Sequence, residues 1–440
     1  MTSTEEDLRT DVAPGRQRLA LLLAMLIAVP GVFIRFADVH LNDPTSAVLF
    51  GLAIVGAAFL LSWAAEVAQL DISAGLAIAV LAFIAVLPEY AVDLVFALKG
   101  GNAFEESGFT DCPPPAGAEE SPCSLALANM TGANRLLIGL GWTLVVFIAW
   151  RRWKKIGQPE RGREIVLERS HSVELGFLAV ATVYSLFIPL RDSITIVDAV
   201  FLVGLFILYT VRISRAPASE PHLVGPARWI GGFSVASRRV TVITLFLGAA
   251  AVILLCAEHF AEALVATGGE LGVSEFLLVQ WLAPLASEAP ELLVACLYAW
   301  RLNTNAGLGT LVSSKVNQWT LLVGTLPIAF ALASSSKHGL PIDGHQREEL
   351  FLTAAQSAYA VAVLMNLSMS LREAGYMFGL FIFQFIAGAV GPESIHDEVR
   401  IGVGIIYLVL ASWLIFRNRG LVRPLLRDAF RTPYREMAAE

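Results

Sequence analysis

Charge is scarce in this chain. Only 16% of its 440 residues are Asp, Glu, Lys or Arg, against about 25% in an ordinary soluble domain. That shortage, with 56% hydrophobic residues, excludes a water-soluble globular protein. Cysteine is also rare, at four residues, which excludes a disulfide-built scaffold. No phosphate-binding glycine loop, nucleotide motif, Ser-His-Asp arrangement or Cys/His zinc cluster is present. The net charge of −7 says little about the whole, because the position of each charge relative to a membrane matters more than the sum.

What is there instead is a series of long apolar runs. A hydrocarbon core about 30 Å thick takes about 20 apolar residues of helix. By that measure the chain holds twelve spans, at 19–36, 46–67, 72–98, 125–149, 173–190, 194–211, 240–262, 274–299, 305–333, 350–369, 374–391 and 400–416. The first, "LALLLAMLIAVPGVFIRF", is too long for the apolar part of a secretory signal, and no small-residue cleavage site follows it. It reads as a transmembrane helix. Basic residues gather in "RRWKK" (151–155), at Arg212, Arg215, Arg228, Arg238 and Arg239, and in the tail from Arg417 to Arg435. Acidic residues gather in "NAFEESGFTDCPPPAGAEESPC" (102–123) and "PESIHDE" (392–398). The bias of basic residues toward the inside then predicts a multi-pass cell-membrane protein with both termini cytoplasmic. The basic tail is expected to face anionic lipid. Cys112 and Cys123 fall outside, where a disulfide between them persists; Cys256 and Cys296 read as small core residues. Glu66, Glu258, His259 and Glu262 lie near span ends, where reaching for the interface is ordinary.

Two segments recur. "LPEYAVDLVFALKGG" (87–101) resembles "APELLVACLYAWRLN" (289–303), and "NRLLIGLG" (134–141) resembles "NQWTLLVG" (317–324). Span three runs from inside to outside and span eight runs back, so the repeats are inverted. Spans two to six and seven to eleven form two five-helix halves, with spans one and twelve peripheral. The expected organisation is a cytoplasmic tail (1–18), a peripheral helix and loop (19–45), the first half (46–212), a cytoplasmic linker (213–239), the second half (240–391), and a last helix with a basic cytoplasmic tail (392–440). Inverted repeats meeting at midplane on broken helices are the build of secondary transporters. Pro88 and Pro290 are the expected breaks. A proline in a span frees a carbonyl that becomes a candidate cation ligand.

Glu89, Asp93, Glu288 and Glu291 are acids inside apolar spans, each costing about 2.5–3.5 kcal/mol to place there. Oxygen ligands at such positions suit hard cations. The rival account has these acids pair with bases and simply hold helices together. Glu89 and Glu291 recur at the same place in both halves, which favours ligation. Arg135 and Lys315 supply one base per half as charge compensation. With two acids and one base from each half, the site carries a charge of −2 when all are ionised, which suits one divalent cation, or a monovalent cation and a proton.

These motifs resemble the calcium/cation antiporter superfamily, the sodium/calcium exchangers. That family carries two inverted repeats, each with a "GTSLPEL"-like helix and a "GSNIFNILLVLG"-like helix. Here "ASEAPEL" (286–292) matches the first and "SSKVNQWTLLVG" (313–324) the second; "AVLPEY" (85–90) and "MTGANRLLIGLG" (130–141) match in the first half. The resemblance implies an all-α cation antiporter working by alternating access. It implies Glu89 and Glu291 as ion ligands, with Ser287 and Ser314 as weaker ones. Asn134 and Asn317 recur and either bridge helices or touch the ion. The chain departs from the pattern at Ala85 and Val86, at Glu288, and at Lys315 and Gly132, where the family has Asn or Asp. An ammonium at Lys315 can stand in for a bound cation and neutralise Glu291 or Glu288, so coupling to Na⁺ does not carry over. The expected partners are the bilayer and a transported Ca²⁺, Na⁺ or H⁺, with no cofactor, nucleic acid or protein partner. A transporter of a non-metal solute and a non-transporting membrane sensor or scaffold stay open as alternatives. An intramembrane protease is disfavoured, because paired-carboxylate proteases use Asp.

Overall fold

The computed structural model describes residues 14–37, 41–71, 87–116, 118–216, 223, 225–390 and 395–437. They form a polytopic helical assembly. In chain order the helices are α1 (Pro14–Ala37), α2 (Asp43–Ala68), α3 (Leu87–Glu106), α4 (Pro122–Leu136), α5 (Thr143–Lys155), α6 (Ser172–Ser185), α7 (Ile196–Ile213) and the short α8 (Pro226–Gly231). They continue with α9 (Val235–Leu271), α10 (Glu275–Trp300), α11 (Thr304–Asn317), α12 (Val323–Ala333), α13 (Gly344–Leu364), α14 (Leu371–Val390), α15 (His396–Arg417), α16 (Arg419–Phe430) and α17 (Tyr434–Met437). Each of the twelve expected spans overlaps one or more of these helices. Among the described residues, nine helices are long and apolar enough to cross a membrane by length and composition, so the count of twelve crossings is not established. Residues 72–86, the first part of the expected third span with Ala85 and Val86, lie outside the described residues.

Local sequence explains most helix ends. Ser121 accepts from the Ser124 backbone N–H with Pro122 opening α4, Ser274 accepts from Leu277 at the start of α10, and Asp343 accepts from Gln346 at the start of α13. Each supplies an oxygen to an otherwise orphaned N–H. Thr195 and Asp198 close a capping box on α7. The 37-residue α9 stops at Gly272, whose φ of 63° is the left-handed conformation that suits glycine. At 1.5 Å per residue a helix of that length runs to about 55 Å, so it tilts in the bilayer or stands out of it.

The repeats interlock reciprocally. Helix α3 of the first half packs on α12 of the second, and α10 of the second half packs on α4 of the first; α2 and α9, the leading helices of the two halves, lie along each other. Two apolar cores result. One gathers α4 to α7 with α11 to α15, and the other gathers α1, α2 and α9 with parts of α3, α4 and α10. Short antiparallel strands tie the halves together at their ends: Glu164–Val166 pairs with Ser368–Ser370, and Ser193–Ile194 pairs with Leu340–Pro341. A disulfide joins Cys112 to Cys123 in the connection between α3 and α4.

One contact sets how closely the halves approach. A Cβ added at Gly132 on α4 would lie 1.7 Å from the backbone oxygen of Gln280 on α10. Gln280 stands four residues before Pro284, which has no N–H to give it. The carbonyl freed by the proline therefore rests against the bare α-carbon of the glycine. Small residues at such crossings let membrane helices gain packing and weak C–H···O contacts.

Candidate functional site

The repeated motifs meet in the middle of this assembly. Glu89 lies in the first turn of α3, just after Pro88, and is 4% exposed. Glu288 lies on α10 and is 2% exposed. Gln318, which opens the turn after α11 and is fully buried, donates its amide nitrogen to both: 2.8 Å to Glu89 Oε1 and 2.7 Å to Glu288 Oε1. The two carboxyl groups also act on each other electrostatically. Two ionised carboxylates do not rest together without a proton or a cation between them. Glu291 is one turn further along α10, only half-buried, and accepts from Ser314 Oγ at 2.6 Å. Its charge acts on Glu288 and feels Glu89. Glu89 and Glu291 therefore share one electrostatic environment, but the direct cross-repeat link runs from Glu89 through Gln318 to Glu288.

Lys315 sits elsewhere than the sequence suggested. Its ammonium is fully buried and donates to the backbone and side-chain oxygens of Asn134, while resting 5.3 Å from the centre of the Trp319 ring. It forms no ion pair with any acid among the described residues. The lysine therefore acts on Glu288 and Glu89 through space, without touching either. Asn134 completes its own bonding by donating to the Met130 carbonyl at 2.9 Å. Asn134 is a helix bridge. Asn317, its repeat partner, keeps its side-chain oxygen buried without a hydrogen-bond partner.

A local feature recurs beside these asparagines. In the first half the chain passes into a π-helical turn over Leu137–Trp142, and in the second half over Gln318–Leu322. Such turns slip the hydrogen-bond ladder by one residue and often mark functional sites. Here they rotate the helix so that Gln318 faces the carboxylates.

Two further expectations change, for Arg135 and for Pro290. Arg135 does not compensate the carboxylate cluster. It pairs with Glu349 of α13, donates to Gln384 of α14 at 3.0 Å and stacks on Trp281. Glu349 also accepts from Gln280 at 3.0 Å, so Arg135 is engaged in a buried group of its own, in which Arg135 Nε and Gln384 Nε2 keep no hydrogen-bond partner. Asp93 accepts from Asn129 at 2.7 Å and not from Arg135; its second oxygen is buried and unpartnered. Pro290 does not end a helix, because α10 runs on through both Pro284 and Pro290. The apolar packing around α10 outweighs one lost hydrogen bond per proline, and the cost appears as a freed carbonyl at Ala286. Ser287 spends its hydroxyl proton on its own helix, at the carbonyls of Ala283 and Pro284. It offers only a lone pair to anything in the site.

Sequence reading missed Gln318 and Glu349. Gln318 was signalled, since it occupies the place in "NQWTLLVG" that Arg135 occupies in "NRLLIGLG". Glu349 stood at a span boundary, where an acid is unremarked. Among the described residues no three His, Cys, Asp or Glu side chains are already closed around a metal position. The arrangement holds the Gln318 amide between the two carboxyl groups. Gln318→Leu is expected to leave Glu89 and Glu288 without their shared donor. Unpartnered buried acceptors cost about 1–3 kcal/mol each, so a fall in thermal stability of purified protein is the expected outcome.

The family model described as sodium/calcium exchanger protein matches residues 42–214 and 241–387. No curated protein sequence matches the chain. Among solved structures, the crystal structure of the H⁺/Ca²⁺ exchanger CAX is similar, with a TM-score of 0.84, 38% identity, and coverage of 96% of this chain and 99% of that one. Native YfkE aligns with a TM-score of 0.57 at 13% identity over 84% of this chain and 99% of its own. A selenium-substituted form, titled a Ca²⁺/H⁺ antiporter protein, aligns at 0.54 and 14% identity over 91% and 99%. These last two speak to fold alone.

Proposed function

Given that the chain belongs to the sodium/calcium exchanger protein family, we propose that it is a membrane antiporter exchanging Ca²⁺ for H⁺, without Na⁺. The observation that carries this reading is the buried meeting of Glu89 and Glu288 at Gln318, with half-buried Glu291 one turn along and no base in contact. Three carboxylates and the nearby ammonium of Lys315 leave an excess of negative charge in a medium that cannot solvate it. A divalent cation or protons must balance that charge, and both use the same oxygens, so they compete. The similarity to an H⁺/Ca²⁺ exchanger at 38% identity supports the same pairing of ions.

In this scheme Ca²⁺ is the cargo. Glu89 and Glu291, one from each half, are its principal ligands, with Glu288 and the freed Ala286 carbonyl adding oxygens. Ser314 orients Glu291, and Gln318 holds Glu89 and Glu288 when protons replace the cation. Asn134 fixes Lys315, whose ammonium takes the place of a coupling monovalent ion. The halves rock about the shared site in alternating access, in a cell membrane with both termini cytoplasmic.

The test is flux in proteoliposomes. An imposed pH gradient is expected to drive Ca²⁺ accumulation without Na⁺ on either side, and added Ca²⁺ is expected to move protons the opposite way. A strict Na⁺ requirement, or Ca²⁺ movement blind to the pH gradient, would overturn the proposal. Lys315→Asn is expected to bring in Na⁺ dependence by restoring a neutral oxygen donor where a fixed cation stood. Unchanged Na⁺ independence in that variant would remove Lys315 from the account while leaving H⁺ coupling intact.

A further inference from the structure

The last described helices form a surface that the exchange reaction does not use. Helix α15 ends in two arginine–aromatic stacks, Arg417 over Trp413 at 5.4 Å and Arg419 over Phe416 at 5.1 Å. Tryptophan and arginine at the end of an apolar helix mark the level of the lipid headgroups. The chain turns at Asn418 and continues as the 12-residue α16, so α16 starts at that level.

Three faces run along α16. Leu425, Asp428 and Ala429 are buried against the protein. Asp428 pairs with Arg169 at 2.7 Å, and Arg212 donates to the carbonyls of Asp428, Ala429 and Thr432. A Cβ added at Gly176 on α6 would lie 2.2 Å from the Ala429 Cβ, so the dock is close. Beside this face runs an apolar edge, with Leu426 at 38% exposure and Phe430 at 42%. Beyond it, Arg423, Arg427 and Arg431 lie exposed. At 100° per residue these arginines fall about 40° apart on one side of the helix. The sole acid of the helix, Asp428, is turned inward to Arg169 and also lies 3.7 Å from Arg427 Nε, so it offsets part of one arginine and not Arg423 or Arg431.

We propose that α16 is an interfacial element that binds anionic lipid on the membrane face from which the C-terminal segment emerges. The docked face fixes the helix, Leu426 and Phe430 enter the acyl boundary, and Arg423, Arg427 and Arg431 engage phosphate oxygens of the headgroups. An edge of apolar side chains next to an edge of arginines, at headgroup height, is complementary to a negatively charged lipid surface. Each arginine near such a surface strengthens association about fivefold.

The experiment uses the whole protein in nanodiscs of phosphatidylcholine alone or mixed with phosphatidylglycerol. Leu426→Cys is placed in a Cys256→Ser, Cys296→Ser background and labelled with a nitroxide; Phe430→Cys gives an independent second reporter. In the mixed discs the label is expected to collide more with oxygen, which concentrates in lipid, than with a water-soluble nickel chelate. The combined Arg423→Gln, Arg427→Gln, Arg431→Gln variant is expected to lose that lipid-dependent shift. A label open to the nickel chelate in both lipids would overturn the proposal. So would a label shielded from both reagents, which would mean that protein covers the face. Neither readout depends on transport, so the outcome stands apart from the exchanger reading.

Discussion

Glu291→Gln is expected to abolish Ca²⁺ exchange while the protein stays folded. The amide is isosteric with the carboxylate and its oxygen can still accept from Ser314 Oγ, which donates to the native side chain at 2.6 Å. Because Glu291 is only half-buried, no deep cavity or orphaned acceptor follows from the change. Substitutions of that kind usually shift stability by no more than about 0.5 kcal/mol. What is lost is a full negative charge at the cation site. A hundredfold or greater fall in flux is expected, equivalent to about 2.8 kcal/mol of lost ion stabilisation. Flux in proteoliposomes and thermal unfolding in detergent check the two halves of the statement. Wild-type flux from this variant would refute the site; unfolding would refute the view that Glu291 is there for the ion. Glu89→Gln is the harsher companion, because Glu89 is buried and its interaction with Glu288 is altered at the same time.

Gly132→Ala is expected to damage the fold itself. The added methyl would stand 1.7 Å from the Gln280 oxygen and 2.7 Å from its carbonyl carbon. These are backbone atoms, so no rotamer change relieves the clash, and α10 has to move away from α4. Overpacking of this sort costs about 1–3 kcal/mol, occasionally more. The displacement also reaches Glu288 and Glu291, which ride on α10 two and three turns along. A clear drop in melting temperature and in folded yield is expected, with weakened Ca²⁺ binding in whatever folds. Gly379→Ala is the control, since nothing lies within 4 Å of a Cβ there. Equal stability of the two variants would mean that the halves are not held together at this crossing.

Gly132 and Lys315 occupy the same place in the two repeats, two residues before Asn134 and Asn317. One admits a foreign carbonyl and the other sends an ammonium to Asn134 O and Oδ1 across the interface. The inverted halves have thus diverged at the point where they touch. The same holds one residue beyond the asparagines, where Gln318 serves the carboxylates and Arg135 serves Glu349.

Hydropathy and self-similarity were enough to show a helical membrane protein with two inverted halves and a pair of recurring glutamates. Those properties are legible because they depend on composition along the chain: lipid demands long apolar runs, and a repeated Pro-Glu needs no knowledge of its neighbours. Which oxygen meets which donor was not legible. Arg135, Asp93 and Lys315 all stand within a few residues of the motifs, yet each turns to a partner from another element. In a buried setting a charge or amide gains most from a partner, and the choice falls to the side chain that the packing brings within about 3 Å. Helix crossings at glycine and the one-residue slip of a π turn set those distances. Both are properties of the folded assembly, and neither can be counted along the sequence.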